Sequence, residues 1–232
     1  MKKLKALSLI LSFCVVLIGC NNTQKGAGIG AGGGALLGAA IGAIAGNAGL
    51  GTAIGATVGT GAGLLIGSRM DKVKKQAEQV KNAQVEEVTD ANGLQAVKVT
   101  FDSGLLFTSG KAVLSSASMT SLQQFAGVLK DNATCDVEIQ GYTDNQGWKN
   151  SSREESIQKN IALSQQRADA VSAYLKSLGV NPSQIKSSVG FGENSPVGDN
   201  STSAGQQQNR RVEIYMYASK QMIEAANNGS LK

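Results

Sequence analysis

The spacing of hydrophobic residues changes character several times along the chain. From Ala6 to Ile18 it is a nearly unbroken apolar run behind Lys2, Lys3 and Lys5. A basic start followed by an apolar stretch too short to span a bilayer permanently is the pattern of an export signal, here residues 1–19. From Gly26 to Ser68 no residue is charged, and 16 of the chain's 29 glycines fall there. They are periodic: Gly30, Gly34, Gly38, Gly42 and Gly46 form one four-residue series, and Gly51, Gly55, Gly59, Gly63 and Gly67 a second, with a turn-like Asn47-Ala48-Gly49-Leu50 between. This spacing keeps small residues near one helix face, and small-x-x-x-small patterns let apolar helices approach closely. Each Gly costs a helix about 1 kcal/mol relative to Ala, so ten would cost roughly 10, and such helices need close partners or a bilayer. Residues 26–68 therefore predict a glycine-zipper hairpin that enters a membrane or self-associates; a flexible Gly/Ala tether is the competing reading. Residues 69–92 are charged, with a thin stripe of Val73, Ala77, Val80 and Val88. They predict an exposed helical linker, the stripe being too weak to favour a coiled coil.

Regular alternation begins at Ala96, with Val97, Val99 and Phe101 on one side of a strand and Lys98 and Thr100 on the other. Ser115 to Lys130 has helical spacing, with serines placed to cap it. Cys135, Val137 and Ile139 then share one strand face opposite Asp136, Glu138 and Gln140, which makes Cys135 an inert core residue. A second helix over Asn160 to Leu178 ends at Gly179 and Pro182. Further strands follow at Ile185 to Phe191 and Arg211 to Tyr217. The order β-α-β-α-β-(α)-β predicts an α/β sandwich over residues 93–220, with helices on one face of a four-stranded mixed sheet and a tail at 221–232.

Composition narrows the chemistry. The 232 residues contain no His, which excludes Ser-His-Asp and Cys-His nucleophiles and His-ligated metals, and three Cys alone make a poor zinc site. No cofactor or metal is expected. The net charge of +5 raises the question of nucleic acid, but residues 1–19 carry three lysines and no acid, so removing them leaves +2. No nucleic-acid partner is expected. Gly28-Ile29-Gly30-Ala31-Gly32-Gly33 matches a dinucleotide fingerprint in letters only, since no strand precedes it and the next acid is Asp71. Leu17-Ile18-Gly19-Cys20 resembles the bacterial lipobox. That resemblance implies lipid on Cys20, a lipidated N-terminus over residues 20–25, and, with Asn21 following, an outer-membrane destination. Stable anchoring needs two or more acyl chains.

One position in the second helix is anomalous. Leu163, Val171, Tyr174 and Leu178 form a stripe, and Arg167 falls inside it. A guanidinium among apolar neighbours is costly without an anionic partner; it either snorkels to water or meets a carboxylate. The preceding strand ends in Gly141-Tyr142-Thr143-Asp144-Asn145, a turn that presents Asp144 beyond the strand.

Together with Asn160 to Ala168, Gly190-Phe191-Gly192-Glu193-Asn194-Ser195-Pro196 and Asn209-Arg210-Arg211-Val212-Glu213, this turn resembles the OmpA-like peptidoglycan-binding domain, over roughly residues 95–219. The resemblance implies non-covalent binding of the wall's stem-peptide diaminopimelate, with Asp144 accepting its ammonium and Arg167 pairing with the adjacent carboxylate. Opposite fixed charges suit a zwitterion, and a planar fork suits a carboxylate. Thr143, Asn145, Asn160, Leu163 and Arg211 match family positions near the same pocket. The chain departs from the family in about eight extra residues within Trp148 to Ser156, a stretch holding the only Trp. It reads as a neutral surface insertion or as a rim over the glycan.

The expected protein is not an enzyme, since Glu154 and Glu155 sit in a Ser-rich loop with no opposed geometry to Asp144. It is an outer-membrane lipoprotein with its C-terminal domain in the periplasm, tethering membrane lipid to peptidoglycan. The alternative is an envelope assembly or stress factor acting through the glycine zipper, the wall domain serving only to localise it. Carbonate extraction of a Cys20→Ala variant separates the versions of the glycine segment: retention in membranes is expected if it inserts, and complete release removes insertion.

Overall fold

A computed structural model describes residues 58, 59, 61–90, 92–108 and 110–231. The export signal, Cys20 and nearly all of the glycine segment lie outside the described residues. In chain order the elements are α1 (Ala62–Ala77), β1 (Ala83–Thr89), β2 (Gln95–Asp102), the single turn α2 (Ser103–Leu106), α3 (Ser116–Asp131), β3 (Cys135–Gly141), α4 (Arg153–Ser177), β4 (Ile185–Gly190), α5 (Ser203–Asn209), β5 (Arg211–Ala218) and α6 (Lys220–Asn227). The sheet order is β1-β2-β5-β3-β4. Only β3 and β4 run parallel; the other neighbours are antiparallel.

The alternating residues do what their pattern demands. Val97, Val99, Phe101, Val137, Ile139, Val212, Ile214 and Met216 form one core with Phe125 and Leu129 of α3 and Val171 and Leu175 of α4. Cys135 is fully buried there, and burial pushes its thiol up to about 12, so it is inert at neutral pH.

Three segments differ from expectation. The linker at 69–92 is neither all helix nor exposed. Ile66, Met70, Val73 and Ala77 of α1 have no exposed surface, because α1 lies against β2 and α6. Residues 83–89 then form a fifth strand, with Val85 opposite Val99 of β2. Gln84, Glu86, Glu87 and Thr89 face solvent, the polar dressing that keeps an edge strand from pairing with other chains. The tail at 221–232 is α6 for most of its length, capped by Ser219, and Met222 and Ile223 are completely buried. Helix α4 starts seven residues before the expected Asn160. A reciprocal capping box supplies the start: Ser152 Oγ accepts from the Glu155 amide, and Glu155 accepts from the Ser152 amide. Half of the extra stretch is therefore the first turn of α4.

The sheet's other face carries polar side chains, yet Glu138, Gln140 and Glu213 are nearly inaccessible. Tyr217 Oη donates to Glu138 at 3.0 Å and Tyr215 Oη to Glu213 at 2.6 Å, and these rings shield the carboxylates. Burial raises the Glu138 carboxyl above its ordinary value.

The contact that positions everything downstream is between α4 and the ends of β3 and β4. A Cβ on Gly141 would overlap the carbonyl of Ser164, and one on Gly190 would overlap the amide of Gln165. Both obstacles are backbone, so neither can rotate away. Gln165 completes the joint, its side chain accepting from the Gly190 amide at 2.8 Å and donating to the Ser188 carbonyl at 2.9 Å.

Gly190→Ala is expected to cost about 3 kcal/mol, a drop of roughly 10 °C in Tm for a domain of this size, while Gly127→Ala, inside α3 with open space at its Cβ, should raise Tm by about 2 °C. A second expectation concerns Glu138. Its carboxyl binds its proton more tightly folded than unfolded, so stability is fully present at low pH and declines as pH rises through the raised value. Glu138→Gln should raise Tm at pH 7, with the gap closing as pH falls below the ordinary carboxylate range.

Candidate functional site

The polypeptide leaves β3 at Gly141 and turns across the end of the sheet. Tyr142, Thr143 and Asp144 stay buried, and Asn145 is the first exposed residue. The turn is held from three sides. The Tyr142 amide donates to the Arg211 carbonyl at 2.9 Å and the Thr143 amide to the Gly192 carbonyl at 2.8 Å. From α4, buried Asn160 donates to the Gln146 carbonyl at 3.2 Å and the Asp144 carbonyl at 3.4 Å. Gly192 is in turn fixed to α4, its amide donating to Ser164 Oγ at 2.8 Å. The Gly190–Pro196 stretch thus serves as a shelf that locks the Asp144 turn to the helix carrying Arg167.

Between turn and helix lies a cavity of about 670 Å³. Thr143, Asp144, Asn160, Leu163 and Arg167 all line it, so these expected site residues do come together. Asn145 and Arg211 do not line it. Asn145 is exposed beyond the turn, and its backbone amide donates to Asn200 Oδ1 at 3.4 Å. Arg211 lies on the sheet's outer face, where its Nε meets Glu213 at 2.7 Å and its guanidinium covers the Tyr142 ring at 3.8 Å. It is a strut beneath the turn. The reason is strand alternation: Arg211 belongs to β5 and points opposite core residue Val212.

The residue that reaches the cavity is its neighbour Arg210, at the junction of α5 and β5, which forms an ion pair with Asp144 Oδ2. The other Asp144 oxygen accepts from the Gln146 amide at 3.1 Å. Arg167 is the opposite case. It is 5% exposed and makes no ion pair among the described residues. Its Nε donates to the Lys111 carbonyl at 3.2 Å, and its guanidinium stands 5.2 Å from the Phe107 ring centre. Burial pulls its pKa below the usual range, the positive Arg210 adds to that, and Asp144 opposes it. A buried guanidinium without a carboxylate is poised to accept one.

Two further observations describe what the cavity would hold. Ser103 Oγ and Thr143 Oγ1, both on residues of its lining, are buried with no hydrogen-bond partner among the described residues. Lys149, Arg167 and Arg210 against Asp144 leave a surplus of two positive charges. The arrangement suits a ligand richer in carboxylate than in ammonium, with polar groups for the two hydroxyls. Ser103, Lys149 and Arg210 escaped sequence reasoning; only the Asn-Arg-Arg motif drew attention to the right pair of arginines.

Trp148 also lines the cavity. Its indole N–H donates to Asn160 Oδ1 at 2.8 Å and its amide to Ser156 Oγ at 3.0 Å. Arg153, in the first turn of α4, holds Glu193 of the shelf through a two-pronged ion pair, which keeps the Glu193 carboxyl below its usual range. Within the extra stretch, Trp148 and Lys149 line the cavity and Arg153 braces the shelf.

Residues 106–210 match the OmpA family model, and residues 1–71 match the YMGG-like Gly-zipper model. Among curated proteins, the probable lipoprotein YiaD of Escherichia coli is 41% identical over 108 residues, covering 47% of this chain and 45% of that protein. The peptidoglycan-binding protein ArfA of Mycobacterium tuberculosis is 38% identical over 119 residues, 51% of this chain and 34% of that one. The chain thus spans less than half the length of either relative. Among solved structures, the cell wall anchor of the T6SS from Pseudomonas aeruginosa superposes with a TM-score of 0.52 at 24% identity, covering 65% of this chain and 98% of that one. A MotB-like protein from Desulfovibrio vulgaris gives 0.54 at 21%, covering 68% and 92%. These two likenesses show the fold, and the family models show similarity segment by segment: residues 106–210 to the OmpA family and residues 1–71 to the YMGG-like Gly-zipper family.

Proposed function

We propose that this protein is a lipid-anchored envelope protein that binds peptidoglycan non-covalently and so ties the outer membrane to the cell wall. The observation that carries the reading is Arg167, buried beside Asp144 in a positively charged cavity and lacking a carboxylate partner among the described residues. The diaminopimelate of a stem peptide offers what this cavity asks for: a free carboxylate next to an ammonium, at the end of a side chain long enough to reach inward. The carboxylate takes the fork of Arg167, and the ammonium shares Asp144 with Arg210. The similarity to the peptidoglycan-binding protein ArfA supports the same partner, and that to the probable lipoprotein YiaD supports the lipid anchor. The role is binding rather than catalysis, since the charged groups at the cavity are fixed ion carriers and no His exists to move a proton.

The fold also shapes the tether. With α1 beginning at Ala62, 42 residues, from Cys20 to Gly61, separate the proposed lipid from the first element of the domain. A chain of that length reaches about 140 Å when fully extended.

The full chain should co-sediment with purified peptidoglycan containing diaminopimelate. Asp144→Ala and Arg167→Ala are each expected to lower binding by at least about 30-fold, since each leaves a buried charge without its counterpart. Arg167→Lys should recover only part, because an ammonium lacks the planar fork. Retained binding by both alanine variants overturns the clamp, and muropeptides released from the wall during incubation would count against a purely binding role.

A further inference from the structure

A second cavity of about 740 Å³ adjoins the first, and Gly110, Trp148 and Leu163 belong to the walls of both. Its character differs. Val113, Ala162 and Leu163 supply apolar surface, Lys111 and Lys159 are its charged residues, and no acid lines it. Lys159 is oriented, its Nζ donating to Ser151 Oγ at 2.7 Å.

The wall between the cavities is unusually well fixed for an exposed aromatic. Trp148 keeps 38% of its surface in solvent although its indole N–H, its amide and its carbonyl are all engaged, by Asn160, Ser156 and the Ser151 amide. Asn160 is the same side chain that holds the Asp144 turn, so ring and carboxylate are set by one buried amide. Val113 beside it is 61% exposed. Rigid apolar surface left open next to paired cations is a poor arrangement for an empty surface and a good one for a ligand with small apolar groups and a carboxylate.

Building on the peptidoglycan reading above, we infer that the second cavity is an extension subsite for the part of the stem peptide that precedes diaminopimelate: a free carboxylate flanked by a small apolar residue. The carboxylate meets Lys111 and Lys159, and the apolar part lies along Val113, Leu163 and the Trp148 ring. The extra stretch that carries Trp148, Ser151 and the start of α4 is then a specificity device, which lets the protein distinguish a whole stem from its diaminopimelate residue. The occupant is the peptide rather than the glycan because the two cations need an anion.

Calorimetry on the full chain in detergent tests this with three soluble probes: free meso-diaminopimelate, the tripeptide L-Ala-γ-D-Glu-meso-diaminopimelate, and the same tripeptide carrying the wall disaccharide. The tripeptide should bind roughly tenfold more tightly than free diaminopimelate, and Lys111→Met with Lys159→Met should reduce that gain to within about twofold while free diaminopimelate binds as before. Trp148 is the only tryptophan, so its emission should shift further with the tripeptide than with diaminopimelate. A tripeptide that binds no better, a gain that survives the double lysine variant, or a gain that appears only with the disaccharide overturns the subsite and leaves the clamp standing. If none of the three probes binds, the clamp and the subsite fall together.

Discussion

Two glycines at the parallel strand ends, Gly141 and Gly190, allow the backbone of α4 to touch the sheet directly at Ser164 and Gln165. The rest of the site depends on that contact. It sets the height of the helix above the turn that follows β3, and hence the separation of Arg167 from Asp144. One row of the buried face of α4 shows the consequence: Asn160, Ser164, Ala168 and Ser172 occupy it, while Val171 and Leu175 of the adjoining row enter the core. Close packing takes the place of apolar volume here, and dispersion between tightly apposed backbones replaces part of what buried side chains supply elsewhere. Polar joints finish the seam, from Gln165 to the Gly190 amide and from Ser164 to the Gly192 amide.

On this rigid seam the electrostatics are deliberately incomplete. Arg211 and Glu213 satisfy each other on the outer face of the sheet, and Arg153 and Glu193 do so at the rim. Asp144 is matched by Arg210, while Arg167 has only a carbonyl and a ring. Leaving a guanidinium desolvated and without a carboxylate lowers stability, and a site that tolerates this cost gains affinity when an anion completes it. The orphaned hydroxyls of Ser103 and Thr143 belong to the same pattern. The cavity is pre-organised because its walls are elements of secondary structure and one buried amide, Asn160, braces both Trp148 and the Asp144 turn.

The N-terminal part of the domain carries a mechanical consequence. Helix α1 and strand β1 continue the core and the sheet, so in the proposed tether a pull from the membrane side would act on packed structure. Such a force would be shared among Ile66, Met70 and Val73 in the core and the ladder between β1 and β2. A loose linker at 69–92 would have transmitted it to the first core strand alone.

Local patterns settled much of this in the sequence. Alternation located β2, β3, β4 and β5, helical spacing located α3 and the body of α4, and ordered motifs marked Thr143, Asp144, Asn160, Leu163 and Arg167 as neighbours of one cavity. These features are legible because period and capping act within a few residues. What depended on distant partners was not. The stripe of α1 looked too thin to bury until β2 and α6 supplied its other half, and residues 83–89 became a strand because the edge of β2 was open to pairing. Arg210 and Arg211 are adjacent in the chain and differ only in which side of the sheet each meets, so the choice between them belonged to the register of β5. Trp148 became a wall of two cavities only when Asn160, twelve residues on, turned to hold its ring. The sequence by itself determined the types of element and the charges available; tertiary structure decided which charges were paired, because pairing depends on separations that close packing alone sets.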